Sequence, residues 1–118
     1  MKNLIPVFSI AAAAAFAFTA QVRADDSEKT IKGEVIDVAC YTDHGASGEK
    51  HAACAKTCIA SGLPVGIKDA SGKVYIVIGD HKPLNSELAD YAAKTVTMKG
   101  KVVERGGVTL LENAELVK

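Results

Sequence analysis

From Thr95 to Val117 the chain reads as two long β-branched runs joined by a glycine turn, which commits its last third to antiparallel sheet. Thr95–Glu104 alternates through Val96 and Met98 and resumes at Val102 across Gly100, so a strand bent at that glycine is expected. Arg105-Gly106-Gly107 turns the chain, and Val108–Val117 supplies the partner strand. A hairpin is not independently stable, so this pair needs further strands or a covering helix.

The preceding residues provide them. Thr30–Ala39 is β-branched, with Ile31, Val35 and Ala39 of one parity and Gly33 as a bend, and reads as the first strand. Asp43–Gly48 is a loop. Glu49–Ser61 carries helix signals, with Ser47 near its start, Gly62 after its end and Pro64 just beyond. Leu63–Lys68 is a short second strand, Asp69–Gly72 a hairpin turn, and Lys73–Ile78 an apolar third strand. Pro83 introduces a second helix, Leu84–Lys94, whose Leu84, Leu88 and Tyr91 fall on one face. The expected class is mainly β (α+β). Five strands with a helix between the third and fourth have the element order of an OB-fold, here with an extra Cys/His-bearing helix between the first and second. An α+β sandwich of the same order is the alternative. TVTMKGKVVERGGVTLLENAELV also resembles the closing strands of OB-type domains.

The N-terminus bounds the domain. Met1-Lys2-Asn3 is followed by an apolar stretch from Leu4 to Ala20, including five alanines at Ala11–Ala15. Val22 and Ala24 then provide the small residues at −3 and −1 of a signal-peptidase site. Residues 1–24 therefore read as a cleavable signal peptide and 25–118 as one OB-like domain, exported to the periplasm or secreted. An uncleaved anchor is the other reading of the leader, although the stretch is barely long enough to span a bilayer. Lys2 and Arg23 leave with the leader, so 12 basic residues face 14 acidic ones, a net charge near −2 with histidines neutral. That balance, with few aromatics and no tryptophan, argues against nucleic acid or an anionic membrane as the partner. No stable membrane insertion is expected after cleavage.

All three cysteines and two of the three histidines lie between Cys40 and Cys58, spaced C-x₃-H-x₆-H-x₂-C-x₃-C. On one continuous helix with His51 at zero, Cys54 falls at about 300° and Cys58 at about 340°. His51, Cys54 and Cys58 then form one stripe beside the apolar Ala52, Ala55 and Ile59. Cys40, at the end of the first strand, approaches from across the loop. Thiolates favour Cu(I) and Zn(II), and imidazole suits both metals. The candidate metal ligands are Cys54, Cys58 and His51, then Cys40, with His44 as an outlying loop ligand. The cofactor expected is a copper or zinc ion.

Two other readings of the cluster stand beside this one. An oxidising compartment favours a disulfide, Cys40–Cys54, Cys40–Cys58 or the geometrically awkward Cys54–Cys58 one helical turn apart, with one thiol left over; the chain is then a disulfide-stabilised interaction module for a periplasmic protein partner. Alternatively the odd thiol attacks a disulfide, making a thiol-redox protein, though no C-x-x-C is present. His81, after the third strand, is either a further ligand or solvated. Asp37 and Asp43 are placed to orient a ligand histidine or are plain surface charges. Tyr41 reads as a packing residue. No serine–histidine–acid set, phosphate loop or paired-carboxylate cleft is visible, so binding, carriage, storage or sensing is favoured over catalysis.

The segment GEVIDVACYTDHGASGEKHAACAKTCIASGLPVGI, followed by VYIVIGDHKPLN, resembles a group of small exported bacterial proteins of undefined function, over most of the mature chain. Cys54-Ala55-Lys56-Thr57-Cys58 is similar to the C-x₃-C copper ligands of Sco-type assembly factors and of the binuclear copper domain of cytochrome oxidase. That likeness is two residues wide. It lacks the proline after the second cysteine, and its nearest histidine precedes the cysteines. It implies copper. The absence of C-x-x-C-H speaks against covalent c-type haem.

Overall fold

A computed structural model describes residues 27–118; the leader expected at residues 1–24 lies outside the described residues. Five strands close into a barrel: β1 (Glu28–Asp37), β2 (Val65–Lys68), β3 (Val74–Val77), β4 (Thr95–Arg105) and β5 (Val108–Leu116). Around the barrel they run β1-β2-β3-β5-β4, and β4 returns to β1. The β3–β5 pairing is parallel and the other four are antiparallel. This is the OB-like barrel that the element order predicts, and it excludes the two-layer sandwich.

Closure rests on local devices in the two long strands. β1 serves two neighbours: Glu28–Glu34 pairs with β4, and Glu34–Asp37 pairs with β2. It turns the corner at Gly33, where a Cβ would stand 2.3 Å from the Lys68 carbonyl oxygen and 2.7 Å from Ile67 Cγ2. Gly33 thus permits the close backbone approach that a small barrel requires. The bend expected at Gly100 is a register shift between Lys99 and Lys101, and the extra residue lies on the partner strand, where Asn113 takes φ 49°. Next to this bulge Ile78 N donates to Leu111 O (3.0 Å) and Ala114 N donates to Ile78 O (2.9 Å), so β3 is stitched to β5 just beyond their ladder.

Val35, Ile67, Met98 and Leu111 fill the barrel, and all are fully buried. Ile59 and Leu88, from the two inserted helical segments, join the same core. No helix among the described residues is long and apolar enough to cross a membrane.

Three segments differ from expectation. The first strand ends at Asp37 rather than Ala39, and Val38–His44 forms an unexpected helix, α1. Asp37 Oδ1 accepts from Ala39 N (2.9 Å) as its N-cap, and Gly45, at φ 68°, closes its C-terminus. The helix expected over Glu49–Ser61 opens as a 3₁₀ turn, Glu49–His51, and becomes α-helical as α2 only over Ala52–Ala60. Ser47 is not its cap: its hydroxyl meets Lys68 Nζ at 3.4 Å, while Gly48 N donates to Glu34 Oε1 at 2.8 Å. The helix expected over Leu84–Lys94 is shortened to α3 (Asn85–Leu88) and a 3₁₀ turn, Ala89–Tyr91. Pairing with β1 ends it, because Ala93 N donates to Val35 O and Val35 N to Lys94 O, each at 2.9 Å. The apolar face survives: Leu84 and Leu88 are buried and Tyr91 packs against the core.

Candidate metal centre

The barrel brings the two ends of the cysteine segment together. Asp37 pairs with Val65 where β1 meets β2, and Val38 N donates to Pro64 O at 3.0 Å. The chain leaving β1 in α1 therefore starts beside the chain returning from α2. Cys40 lies in the first turn of α1, and Cys58 lies in the last turn of α2, one helical turn after Cys54. The three Sγ atoms all lie within 4.8 Å of one another. Cys40 and Cys58 are half-buried and Cys54 is exposed, so the group opens to solvent on the Cys54 side.

The loop between α1 and α2 is tied down on both flanks. Glu34 Oε1 holds Gly48 N, Lys68 Nζ stands 3.5 Å from Glu34 Oε2, and the same ammonium lies 5.4 Å from the centre of the Tyr41 ring. At the other end Asn85 Nδ2 donates to Leu63 O (2.6 Å) and to Ile59 O (2.9 Å), which also accepts from Gly62 N, where α2 ends. The cysteine-bearing helices are thereby fixed to the barrel through Glu34, Lys68 and Asn85. None of these three stood out in the sequence, because each acts across more than twenty residues or through a backbone atom of a loop.

Asp37 dominates the electrostatics. It is the buried charged side chain among the described residues, 2% exposed, and its Oδ2 meets no donor in good hydrogen-bonding geometry. The thiols of Cys40 and Cys58 lie beside this carboxylate as weak donors. Hydrogen bonding to Asp37, then desolvation and the carboxylate's charge, push the Cys40 thiol up to about 12. Burial, followed by the hydrogen bond and charge of Asp37, raises Cys58 as well. Without a cation these two sulfurs are therefore held as thiols. A metal ion displaces their protons, as every thiolate site requires.

The histidines stand apart from the sulfur group. His51 is exposed on the 3₁₀ turn with φ −102° and ψ 2°, and its ring nitrogens are not among the ligand atoms that gather within 4.8 Å. His44 is exposed at the end of α1, its Nδ1 2.9 Å from Asp43 Oδ2. His81 is almost fully solvated and lines a shallow groove with Pro64, Ile78 and Pro83. All three cysteines are free, and no disulfide links them in this structure. Tyr41 packs under Lys68, in keeping with the packing role expected for it.

Three sulfurs at this spacing can hold a thiophilic cation in trigonal or tetrahedral geometry. The chain matches no family model, no curated protein and no solved structure with which it was compared.

Proposed function

We propose that the domain is a small exported metal-binding protein that holds Cu(I) or Zn(II) through Cys40, Cys54 and Cys58, for carriage, storage or sensing. The observation that carries this reading is the convergence of three sulfurs from two helices to within 4.8 Å of one another. The openness of Cys54 supports exchange rather than permanent structural binding, because a partner's ligand can reach a metal from that side. The leader expected at residues 1–24 supports export. In an oxidising compartment three neighbouring thiols persist only when a metal or a bridge protects them, and metal binding satisfies all three at once.

The test is to purify the mature chain from the exported fraction and measure metal and free thiols together. One metal ion per chain, lost in each of Cys40→Ser, Cys54→Ser and Cys58→Ser, is the expected result. Fully reduced protein that takes up neither Zn(II) nor Cu(I) with sub-micromolar affinity refutes the reading. Rapid catalytic turnover of a disulfide substrate by the metal-free protein would move the function to thiol redox chemistry.

A further inference from the structure

Building on the thiol-centre reading, we propose that Asp37 is the fourth donor of this site, through Oδ2, and that the resulting three-sulfur, one-oxygen set selects Zn(II) over Cu(I).

Asp37 divides its carboxylate between two tasks. Oδ1 is occupied as the N-cap of α1, accepting from Ala39 N at 2.9 Å. That bond, and the pairing of Asp37 with Val65 in the barrel, fix the direction of the side chain. Oδ2 is buried with no donor in good hydrogen-bonding geometry, and the carboxylate it belongs to lies beside the thiols of Cys40 and Cys58, which are weak donors at most. Among the described residues no lysine, arginine or histidine pairs with Asp37; the nearby acid Glu34, by contrast, has Lys68. A buried carboxylate with no counter-charge is costly unless a cation or a proton balances it. A metal held by the three sulfurs supplies that charge next to the carboxylate, which neighbours Cys40 and Cys58.

The dimensions allow it. A tetrahedral zinc with Zn–S near 2.3 Å and Zn–O near 2.0 Å places its donors roughly 3.5–3.8 Å apart. Sulfurs lying within 4.8 Å of one another reach that spacing by drawing in about 1 Å or less, whereas the Asp37 carboxylate lies outside that 4.8 Å group and needs a larger closure to join it. Cys54, the exposed member on the open side, is the one with room to move. Buried Asp37 and half-buried Cys40 and Cys58 form the inner wall, and exposed Cys54 closes the set.

The oxygen donor decides between the metals. Cu(I) is satisfied by two or three sulfurs and gains little from a hard carboxylate. With Cu(I) the same ligand set also stays one charge more negative than with Zn(II), in a place where Asp37 has no ion-pair partner among the described residues. Zn(II) accepts thiolate and carboxylate together. The local C-x₃-C similarity to copper proteins covers Cys54 and Cys58 and does not include this oxygen.

Asp37→Asn is the informative variant, because asparagine remains a good N-cap and is nearly isosteric. The reduced mature chain and the variant are titrated separately with Zn(II), with Co(II) as a spectroscopic probe of the zinc geometry, and with Cu(I). Circular dichroism and thermal melting of the metal-free forms verify the fold. The expected result is a loss of Zn(II) and Co(II) affinity of about 10- to 100-fold or more, with Cu(I) affinity changed less than about threefold. The Co(II) d–d bands shift while the thiolate charge-transfer intensity is retained. Zinc-edge X-ray absorption on the unmodified chain shows three sulfur scatterers and one light atom, without the outer-shell signature of imidazole.

Several outcomes overturn the proposal. Equal Zn(II) affinity and an unchanged Co(II) spectrum in Asp37→Asn leave Asp37 as a helix cap alone. Equal loss of both metals assigns it a role in positioning the thiols. Imidazole scattering gives the fourth place to a histidine such as His51. If the unmodified chain binds neither metal, the thiol centre itself fails and this assignment falls with it. If Asp37→Asn does not fold, Asp37→Ser, which keeps an N-capping hydroxyl, takes its place in the same titrations, and unchanged Zn(II) affinity there overturns the assignment.

Discussion

Ile59→Ala tests whether the barrel core holds the cysteine helix in place. Ile59 follows Cys58 directly in α2, is fully buried, and joins the core cluster that contains Val35, Ile67 and Leu88. Truncation removes three carbons, worth about 2.4 kcal/mol in transfer free energy at ~0.8 kcal/mol each. A partly collapsed cavity adds to this, so about 3 kcal/mol is expected. For a domain of this size that lowers Tm by roughly 12–24 °C. The assay is urea denaturation of the mature chain with reductant and chelator present, which removes contributions from metal and disulfides. Thr57→Ala is the control: its hydroxyl donates to Ala53 O on the exposed face, and its loss should change stability by less than about 0.5 kcal/mol. Zinc at a hundred times its dissociation constant should return about 2.7 kcal/mol, bringing loaded Ile59→Ala close to the metal-free parent. An Ile59→Ala midpoint equal to that of Thr57→Ala would refute the placement of α2 on the core. A normal loss of stability that zinc fails to offset would instead separate the helix from metal binding.

Three further predictions concern the corner of the barrel and the thiols. Gly33→Ala should destabilise by about 2 kcal/mol or more through overpacking against the Lys68 carbonyl; Gly45→Ala, where nothing lies near a Cβ but φ is 68°, should cost about 1–2 kcal/mol, and denaturation midpoints in the reverse order would contradict the corner described at Gly33. Metal affinity should fall as pH falls, because Cys40 and Cys58 are raised above ordinary thiols and bind protons that the metal must expel. The slope of log K against pH approaches three when all three thiols are displaced, and competition with a chromophoric chelator between about pH 6 and 8 would show a flat profile if thiolates were not the ligands. In the metal-free reduced protein, iodoacetamide should modify exposed Cys54 before half-buried Cys40 and Cys58, with mass spectrometry as the readout; equal rates at the three sites would mean that Asp37 does not hold the other two as thiols.

The barrel was legible because its information is periodic and local. The alternation of Val96, Met98 and Val102, the glycine turn and the β-branched run of β3 each declare a strand without help from elsewhere. What escaped depends on contacts between distant residues. Val35-Ile36-Asp37-Val38-Ala39 reads as uninterrupted strand, yet β2 starts opposite Asp37, so the chain beyond it has no partner strand there and folds into α1. Asp37 as an N-cap and Gly45 as a C-terminal stop were readable, but the β-branched run around Asp37 outweighed them. The spacing puts His51 on the cysteine stripe only if one unbroken helix spans the segment, and the segment opens instead as a 3₁₀ turn, Glu49–His51, ahead of α2. Cys54 and Cys58 kept their shared face because both fall within α2.

The role of Asp37 is hidden in the sequence for the same physical reason. As a lone acid after a valine and an isoleucine it resembles a surface charge or a partner for a ligand histidine. Its significance comes from being at once the last residue of β1, the cap of α1 and a buried neighbour of two thiols. Those positions share one carboxylate, so they cannot be independent of one another. A cation drawn to Oδ2 tightens the group whose Oδ1 starts α1, and α1 carries Cys40, a ligand of the same cation. Metal loading should therefore stabilise α1 beyond the barrel strands, visible as a larger slowing of amide exchange on loading across Val38–His44 than across β4. Uniform protection of both elements would indicate that metal binding stabilises the domain as a whole, without the link through Asp37.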